Sequence, residues 1–383
     1  MAKFSVKLIV SDRMTNRGGE EDSLVRLPQR ARDYFNFGKD KLRLGNGDNT
    51  LTLVIKQAYK EDVATIPRGD RALTAFVTED NYVTLMQSKR VEDFWVTEEG
   101  EPIMLGCDPE FVLSRNGSLV PAAEILRFHS QFGSDGMLAE LRPDPSQNVE
   151  EVVGNIKRLL DNPPAEARDL DWIGGACLHG RPIGGHIHIG TPEPLYVHSS
   201  SGVDQTNLKI LSTLAMLLDD YLTAPLVRVD RPDALSRRRD SFGSYKNIRY
   251  DHGRLEWRTP SGFWLVHPDI ARAVLGTTKA VAENYWNRLP AQERRSVLKD
   301  DYSIAHTEGI LSTFHIRAAG KTKEILYDNS ITRNEIDRSL RNLKSLENYG
   351  EYRRYIDKFE DVVQMSEETL EDIGLDIKAN WTS

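Results

Sequence analysis

Three short segments of this chain carry charged or imidazole side chains at every second position, with apolar residues between them. That alternation constrains the fold more than any other feature. The segments are Gly106-Cys-Asp-Pro-Glu110, Gly185-His-Ile-His188 and Arg254-Leu-Glu-Trp-Arg258. In a β-strand, residues i and i+2 point to one face. Asp108 and Glu110 therefore share a face, as do His186 and His188. Arg254, Glu256 and Arg258 do the same, while Ile187, Leu255 and Trp257 point the other way. Glu140-Leu-Arg142 repeats the pattern after a turn at Gly133-Ser-Asp-Gly136. Four such strands describe a sheet with one buried face and one ion-lined, concave face. Unpaired charges are costly once desolvated, so that face calls for bound cations and anions.

Each motif has its own chemistry. Paired carboxylates repel unless a cation lies between them, and hard oxygen ligands suit Mg²⁺ or Mn²⁺. The plain alternative for Asp108 and Glu110 is an exposed edge strand, but Met104, Leu105, Phe111, Val112 and Leu113 make the surroundings apolar. Neutral imidazole binds metal and charged imidazole contacts phosphate. The glycines around His186 and His188 permit close approach of a ligand, although two hydrogen-bonded structural histidines would read the same way. Glu256 between two arginines is either an ion-pair ladder or a metal-reaching carboxylate beside guanidiniums that grip phosphate and carboxylate oxygens. Upstream lies a basic run, Arg237, Arg238, Arg239, Lys246 and Arg249, interleaved with Phe242, Gly243, Tyr245 and Tyr250. It is the natural place for a polyphosphate, or else a solvated loop. No serine or cysteine nucleophile with a matched base stands out.

The rest of the 383-residue chain is read for class. A net charge of −8 argues against general nucleic-acid binding, and no apolar run reaches the length of a membrane span. The opening stretch, Met1 to Val10, is too short for a signal peptide and reads as a strand. Two distant cysteines, Cys107 and Cys177, point to a reduced, cytoplasmic setting without disulfides.

Residues 1–98 read as a β-rich recognition or assembly domain, a small barrel or sandwich. Its strands are expected at Val6–Val10, Leu51–Ile55, Leu73–Val77 and Tyr82–Leu85, with turns at Gly45–Asp48 and Pro67–Asp70 and a charged linker at Arg90–Glu101. Residues 103–290 read as the catalytic core, with strands at Met104–Leu113 and Gly136–Leu141. Helices are expected over 149–160, about 204–222, and onward from Pro268. Residues 291–383 read as a mostly helical, polar extension that packs on the core, with a fraying end. The fold class is α+β.

Taken in order, Asp108-x-Glu110, Glu140, His186-x-His188 and Arg254-x-Glu256-x-Arg258 with Pro260 resemble the active-site strands of glutamine synthetase and the glutamate–cysteine ligases. The wording Gly-Cys-Asp-Pro-Glu-Phe, Ala-Glu-Leu-Arg-Pro-Asp-Pro, Gly-Gly-His-Ile-His-Ile-Gly and Leu-Glu-Trp-Arg-Thr-Pro-Ser looks closest to the phage-encoded carboxylate–amine ligases of the phiEco32-like type. The resemblance covers roughly residues 103–290. It departs from glutamine synthetase at Asp108, where that enzyme has a glutamate.

The resemblance implies an antiparallel glutamine synthetase-like sheet with helices on its other face. It also implies an ATP- and Mg²⁺-dependent ligase (Mn²⁺ being possible) that joins a small-molecule or peptide carboxylate to an amine through an acyl phosphate. Asp108, Glu110, Glu140, His186 and Glu256 would be metal ligands. His188, Lys246, Arg237, Arg239 and Arg142 would bind cofactor or substrate anions. Arg258, Glu256 and Arg254 would act on the reacting groups. Three alternatives stand beside it: a phosphotransferase of the guanidino-kinase type, a non-enzymatic phage structural or host-binding protein with the β-rich N-terminal domain as its contact surface, and a zinc hydrolase built on the two histidines and a carboxylate.

Overall fold

The structure is a computed structural model. It describes residues 4–5, 7–15, 24–28, 41–46, 49–64, 74–86, 94–98, 103–190, 198–199, 202–203, 205–231, 233–239, 242–251, 254–288, 314 and 317–382. The chain divides into two compact units, Met1–Glu101 and Pro102–Ser383. Among the described residues no helix is long and apolar enough to cross a membrane.

The first unit is one mixed sheet of seven strands. These are β1 (Phe4–Ser5), β2 (Lys7–Val10), β3 (Leu24–Leu27), β4 (Lys41–Asn46), β5 (Asn49–Gln57), β6 (Thr74–Val77) and β7 (Phe94–Glu98), in the order β1-β7-β4-β5-β3-β6-β2. β2 pairs with β6, and β3 with β5, in parallel. A single mixed sheet thus replaces the expected barrel or sandwich. Strand-like runs do not reveal pairing direction, and parallel pairs need crossover connections rather than hairpins.

Two further expectations fail here. Tyr82–Leu85 lies in a helix, Glu79–Met86. Tyr82, Leu85 and Met86 recur at helical spacing and pack on the sheet, and the Thr78 hydroxyl accepts the Asn81 N–H. Within the expected linker 90–101, Phe94–Glu98 is a paired strand, with Phe94 opposite Asn46. The predicted turn Pro67–Asp70 lies outside the described residues.

The second unit is built on an antiparallel sheet. Its strands are β8 (Leu105–Arg115), β9 (Ser118–Val120), β10 (Phe132–Asp135), β11 (Leu138–Leu141), β12 (Asp171–Ile173), β15 (Gly185–Gly190), β18 (Ile248–Asp251) and β19 (Arg254–Trp257). Two short ladders, β13 (Cys177–Leu178) with β14 (Arg181–Pro182) and β16 (His198–Ser199) with β17 (Gly202–Val203), stand apart from it. The main order is β10-β11-β8-β15-β19-β18, with β9 and β12 also pairing β8.

One face carries Leu105, Cys107, Phe111 and Leu113 of β8, Ala139 and Leu141 of β11, Ile187 and Ile189 of β15, and Leu255 and Trp257 of β19. All are buried in one apolar cluster with the helices Val149–Asp161, Gln205–Leu218, Pro268–Arg288 and Tyr349–Val363. Each aliphatic side chain so buried contributes about 1.5–3 kcal/mol. The helix Val149–Asp161 shows how the sequence sets this packing. Val149, Val152, Val153, Ile156 and Leu160 are its buried stripe, and the Asn148 side chain caps it by accepting the Glu150 N–H at 2.9 Å.

Gln205–Leu218 does not continue as a regular helix to residue 222. It widens into a π-helical turn, Asp219–Thr223, and resumes as Ala224–Leu226. Asp220 in that turn meets the C-terminal helices. Its Oδ1 accepts from Arg317 Nη1 at 2.5 Å and its Oδ2 from the Arg317 N–H at 2.9 Å. Arg317 also donates to Ser339 Oγ at 2.9 Å. The last helix, Ile377–Thr382, does not fray: Trp381 is 2% exposed and its indole N–H donates to the Leu265 carbonyl at 2.7 Å. An apolar anchor at the end outweighs the general looseness of termini.

Candidate active site

Strand register turns four separate motifs into one surface. Glu140 lies opposite Glu110, His186 opposite Asp108, and both His188 and Arg249 opposite Glu256. The polar residues therefore run diagonally across β11, β8, β15, β19 and β18 on the face away from the apolar cluster.

Two groups of donors form on this face. Asp108, His186 and Glu256 each offer a ligand atom within 4.8 Å of the others. His186 Nδ1 lies 3.4 Å from Asp108 Oδ1 and 3.8 Å from Glu256 Oε1, and His188 Nε2 lies 3.2 Å from Asp108 Oδ2. Asp108 Oδ1 and Glu256 Oε1 are buried and accept no hydrogen bond. Burial pushes the Asp108 carboxyl up, but the two imidazoles more than offset it and hold the group well below the usual carboxylate range.

The second group is Glu110, Asp135 and Glu140. Glu110 Oε2 accepts from the Gly184 N–H at 2.6 Å, yet burial still raises its pKa. Oxygen donors without thiolate suit a hard divalent cation, and two buried acceptors without hydrogen bonds are what a cation would satisfy. The residues fit such an ion in both groups. Asp135 escapes a reading of the sequence because Gly133-Ser-Asp-Gly136 has turn composition; only as the end of β10, opposite Leu138, does it reach this face.

The other end of the sheet is basic. Arg249 Nε donates to Glu256 Oε2 at 2.6 Å, and Arg258 Nε lies 3.2 Å from Glu256 Oε1. Glu256 is 1% exposed, whereas the side chains of Arg249 and Arg258 are 57% and 31% exposed. A buried carboxylate thus holds two guanidiniums by their Nε atoms while both reach solvent. Arg254 begins β19, half-buried, opposite Gly190 and Asp251. Lys246 precedes β18 in the left-handed region, φ 58°, a conformation that non-glycine residues adopt mainly where surrounding structure imposes it.

Two expected anion-binding arginines are engaged by the protein's own acceptors. Arg237 is 2% exposed and donates to the carbonyls of Thr259 at 2.9 Å, Pro260 at 2.9 Å and Arg258 at 3.2 Å. It braces the exit of β19 rather than facing a nucleotide, and burial lowers its pKa to about 10. Gly243, φ 62°, lies against it so closely that a Cβ there would collide with the guanidinium. Arg142 pairs with Glu140 and donates to the carbonyls of Ser130 at 3.0 Å and Ser134 at 3.3 Å. Both of its terminal nitrogens are thus engaged by the 130–134 loop and Glu140. Arg239 ends the helix Ala234–Arg239, and its side chain lies outside the described residues. Composition shows a basic run but not which of its members turn inward.

The sheet thus has one apolar face and one face of carboxylates, imidazoles and guanidiniums. Comparison with known families makes this specific. Residues 105–382 match the family described as phage phiEco32-like COOH.NH2 ligase-type 2, and the chain belongs to that family of carboxylate–amine ligases. The match extends beyond residue 290 and takes in the C-terminal helices. A search of curated proteins gave no match. Among solved structures, the chain is similar to a novel glutamine synthase homolog, with 12% identity, 87% of this chain and 84% of that one covered, and a TM-score of 0.31. It is similar also to GmaS in complex with ADP, with 11% identity, 89% and 98% covered, and a TM-score of 0.29.

Proposed function

We propose that this protein uses ATP and Mg²⁺ to join a carboxylate to an amine through an acyl phosphate. The observation that carries this reading is the seating of Glu256. Its oxygen lies within 4.8 Å of donor atoms of Asp108 and His186, a group able to hold a cation, and it also pairs with Arg249 and Arg258. One carboxylate thereby sets a cation position beside two guanidiniums, the arrangement phosphoryl transfer demands.

A carboxylate is a poor acyl donor because its oxygen leaves badly. In the first step a carboxylate oxygen takes the γ-phosphoryl group and ADP departs. In the second, the amine attacks the acyl carbon, loses a proton and expels inorganic phosphate. Asp108, His186 and Glu256, and separately Glu110, Asp135 and Glu140, would hold divalent cations, which supply charge neutralisation along the phosphates. Arg258 faces the transferring phosphoryl group. Arg249 and Arg254 take phosphate or carboxylate oxygens. His188 and Lys246 line the nucleotide end. Arg237 and Arg142 support the strands that carry these groups.

The test uses the purified protein with Mg²⁺–ATP, hydroxylamine as the amine and each of the twenty amino acids as the carboxylate, labelled with ¹⁸O. The expected result is a hydroxamate, ADP, and phosphate carrying ¹⁸O from one carboxylate. A stable phosphorylated product without an amide would replace the ligase reading with phosphotransfer. Failure to bind Mg²⁺–ATP at millimolar concentration, or stoichiometric zinc in the purified protein, would overturn it.

A further inference from the structure

We infer that Asp219, a core residue on the far side of the sheet from the chemistry, is a positioning residue of the active site. It fixes the Lys246 turn to the strand that bears Glu256 and Arg258. The inference rests on the proposed site and concerns how two of its parts are kept in register.

The geometry is specific. Asp219 is fully buried at the start of the π-helical turn. Its Oδ1 accepts the Trp257 indole N–H at 2.8 Å and, more weakly, the Thr223 hydroxyl at 3.4 Å. Its Oδ2 accepts the main-chain N–H of Lys246 at 2.6 Å. Trp257 lies between Glu256 and Arg258 in sequence but points to the opposite face. Asp219 therefore holds β19 from below through the indole while holding the turn through its backbone.

The turn is tied to the same strand from a second side. The Arg258 N–H donates to the Asn247 carbonyl at 2.8 Å, the Asn247 N–H to the Ser244 carbonyl at 3.0 Å, and Thr259 Oγ1 to the same Ser244 carbonyl at 3.3 Å. Lys246 sits inside this closed loop of bonds with φ 58°. A strained backbone persists where its surroundings over-determine it, and the short bond to Asp219 is the part of that restraint that comes from a side chain in the core. A neutral apolar residue at 219 would leave two buried donors, the indole and the Lys246 N–H, without an acceptor.

The alternative is a purely structural role, and the neighbouring residue supplies the comparison. Asp220 is equally buried, but it faces Arg317, Thr322 and the C-terminal helices rather than the site. Asp219→Asn and Asp220→Asn thus perturb one turn in opposite directions. Asparagine keeps the size of the side chain, but its amide N–H₂ confronts one of the two donors that the carboxylate served.

The experiment has two readouts. Hydrogen exchange followed by mass spectrometry should show residues 244–258 of D219N exchanging at least about tenfold faster than wild type, with the helix Pro268–Arg288 unchanged. D220N should instead show faster exchange in 317–344. In steady-state assays with Mg²⁺–ATP, D219N should lose about tenfold or more in kcat per folded molecule and raise the KM for ATP, leaving the KM for the amine within about threefold. D220N should keep kcat per folded molecule. If D219N exchanges like wild type over 244–258, or speeds exchange across the whole unit, Asp219 is not a positioning residue. A wild-type protein that forms no amide would sink the ligase reading alone, because the exchange result stands without turnover. In the double variant D219N/W257F the amide no longer confronts the indole, and a kcat at least threefold above that of D219N is expected.

Discussion

Replacing Glu256 by glutamine isolates charge from shape. The two side chains are isosteric, so Glu256→Gln opens no cavity in a site where the residue is 1% exposed. What changes is the acceptor that faces Arg249 Nε at 2.6 Å and Arg258 Nε at 3.2 Å. The amide oxygen can still accept from one guanidinium, but the amide N–H₂ then faces the other. The Arg249 contact is a charge-assisted hydrogen bond, a class that contributes about 1.5–3 kcal/mol, whereas Arg258 meets Oε1 as an ion pair without hydrogen-bond geometry. Arg249 is more than half exposed, which places its share at the low end through solvent screening. Together these put the loss of stability at about 2–3 kcal/mol. Domains of this kind are stable by about 5–15 kcal/mol, so the variant should still fold. Turnover of the folded variant should fall as well. In the proposed mechanism Glu256 places a cation and two arginines around the transferring phosphoryl group, and its loss should lower kcat by on the order of 10²-fold or more. The assays are urea unfolding and Mg²⁺–ATP turnover on the same preparation. A turnover within threefold of wild type, with Mg²⁺–ATP bound normally, would refute the reasoning.

Two further predictions follow from buried groups. Burial raises the pKa of Asp219 to about 6, so between about pH 4 and pH 6 the folded state keeps a proton that the unfolded chain has released. Stability associated with this group is complete below its unfolded pKa and is lost as pH rises through about 6; urea midpoints across that window should decline in wild type relative to D219N, and parallel profiles would remove the assignment. Trp381→Ala should cost about 3–5 kcal/mol, the usual penalty for emptying a buried tryptophan site, despite lying near the end of the described chain; an unchanged thermal midpoint would show that the final helix contributes little.

The face of the site was legible in the sequence because strand alternation is a local property. Asp108 with Glu110, His186 with His188, and Glu256 with its flanking arginines could be assigned to common faces without coordinates. Which strand lies beside which is not local. Nothing in the chain itself says that Glu140 faces Glu110 or that Arg249 faces Glu256, and that register decides which carboxylates lie close together. Burial of charged residues was equally hidden. Arg237 and Arg249 belong to one basic run, yet the first is enclosed by backbone carbonyls and the second is more than half exposed. Asp135 was masked by turn composition. Tyr82–Leu85 was misread because a four-residue apolar run fits both periods, and the helix start at Thr78 was the discriminating signal. Asp219 and Asp220 looked like ordinary members of a long helix, since its apolar stripe runs straight past them.

The widened turn at Asp219–Thr223 has a consequence for how this sequence can vary. Each residue of a regular α-helix advances the chain by about 100°, and a π-turn absorbs one extra residue in that count. Deleting a single residue from this segment would let the helix wind without interruption and improve its hydrogen bonding. It would also rotate one acid out of its place, cutting either the tie to Trp257 and Lys246 or the tie to Arg317. Length is therefore under tighter constraint here than composition. Leucine-for-methionine exchanges along Gln205–Leu218 should be common among relatives, and gaps between residues 219 and 223 should be absent, because the shorter and more regular helix is the one that leaves the site unassembled.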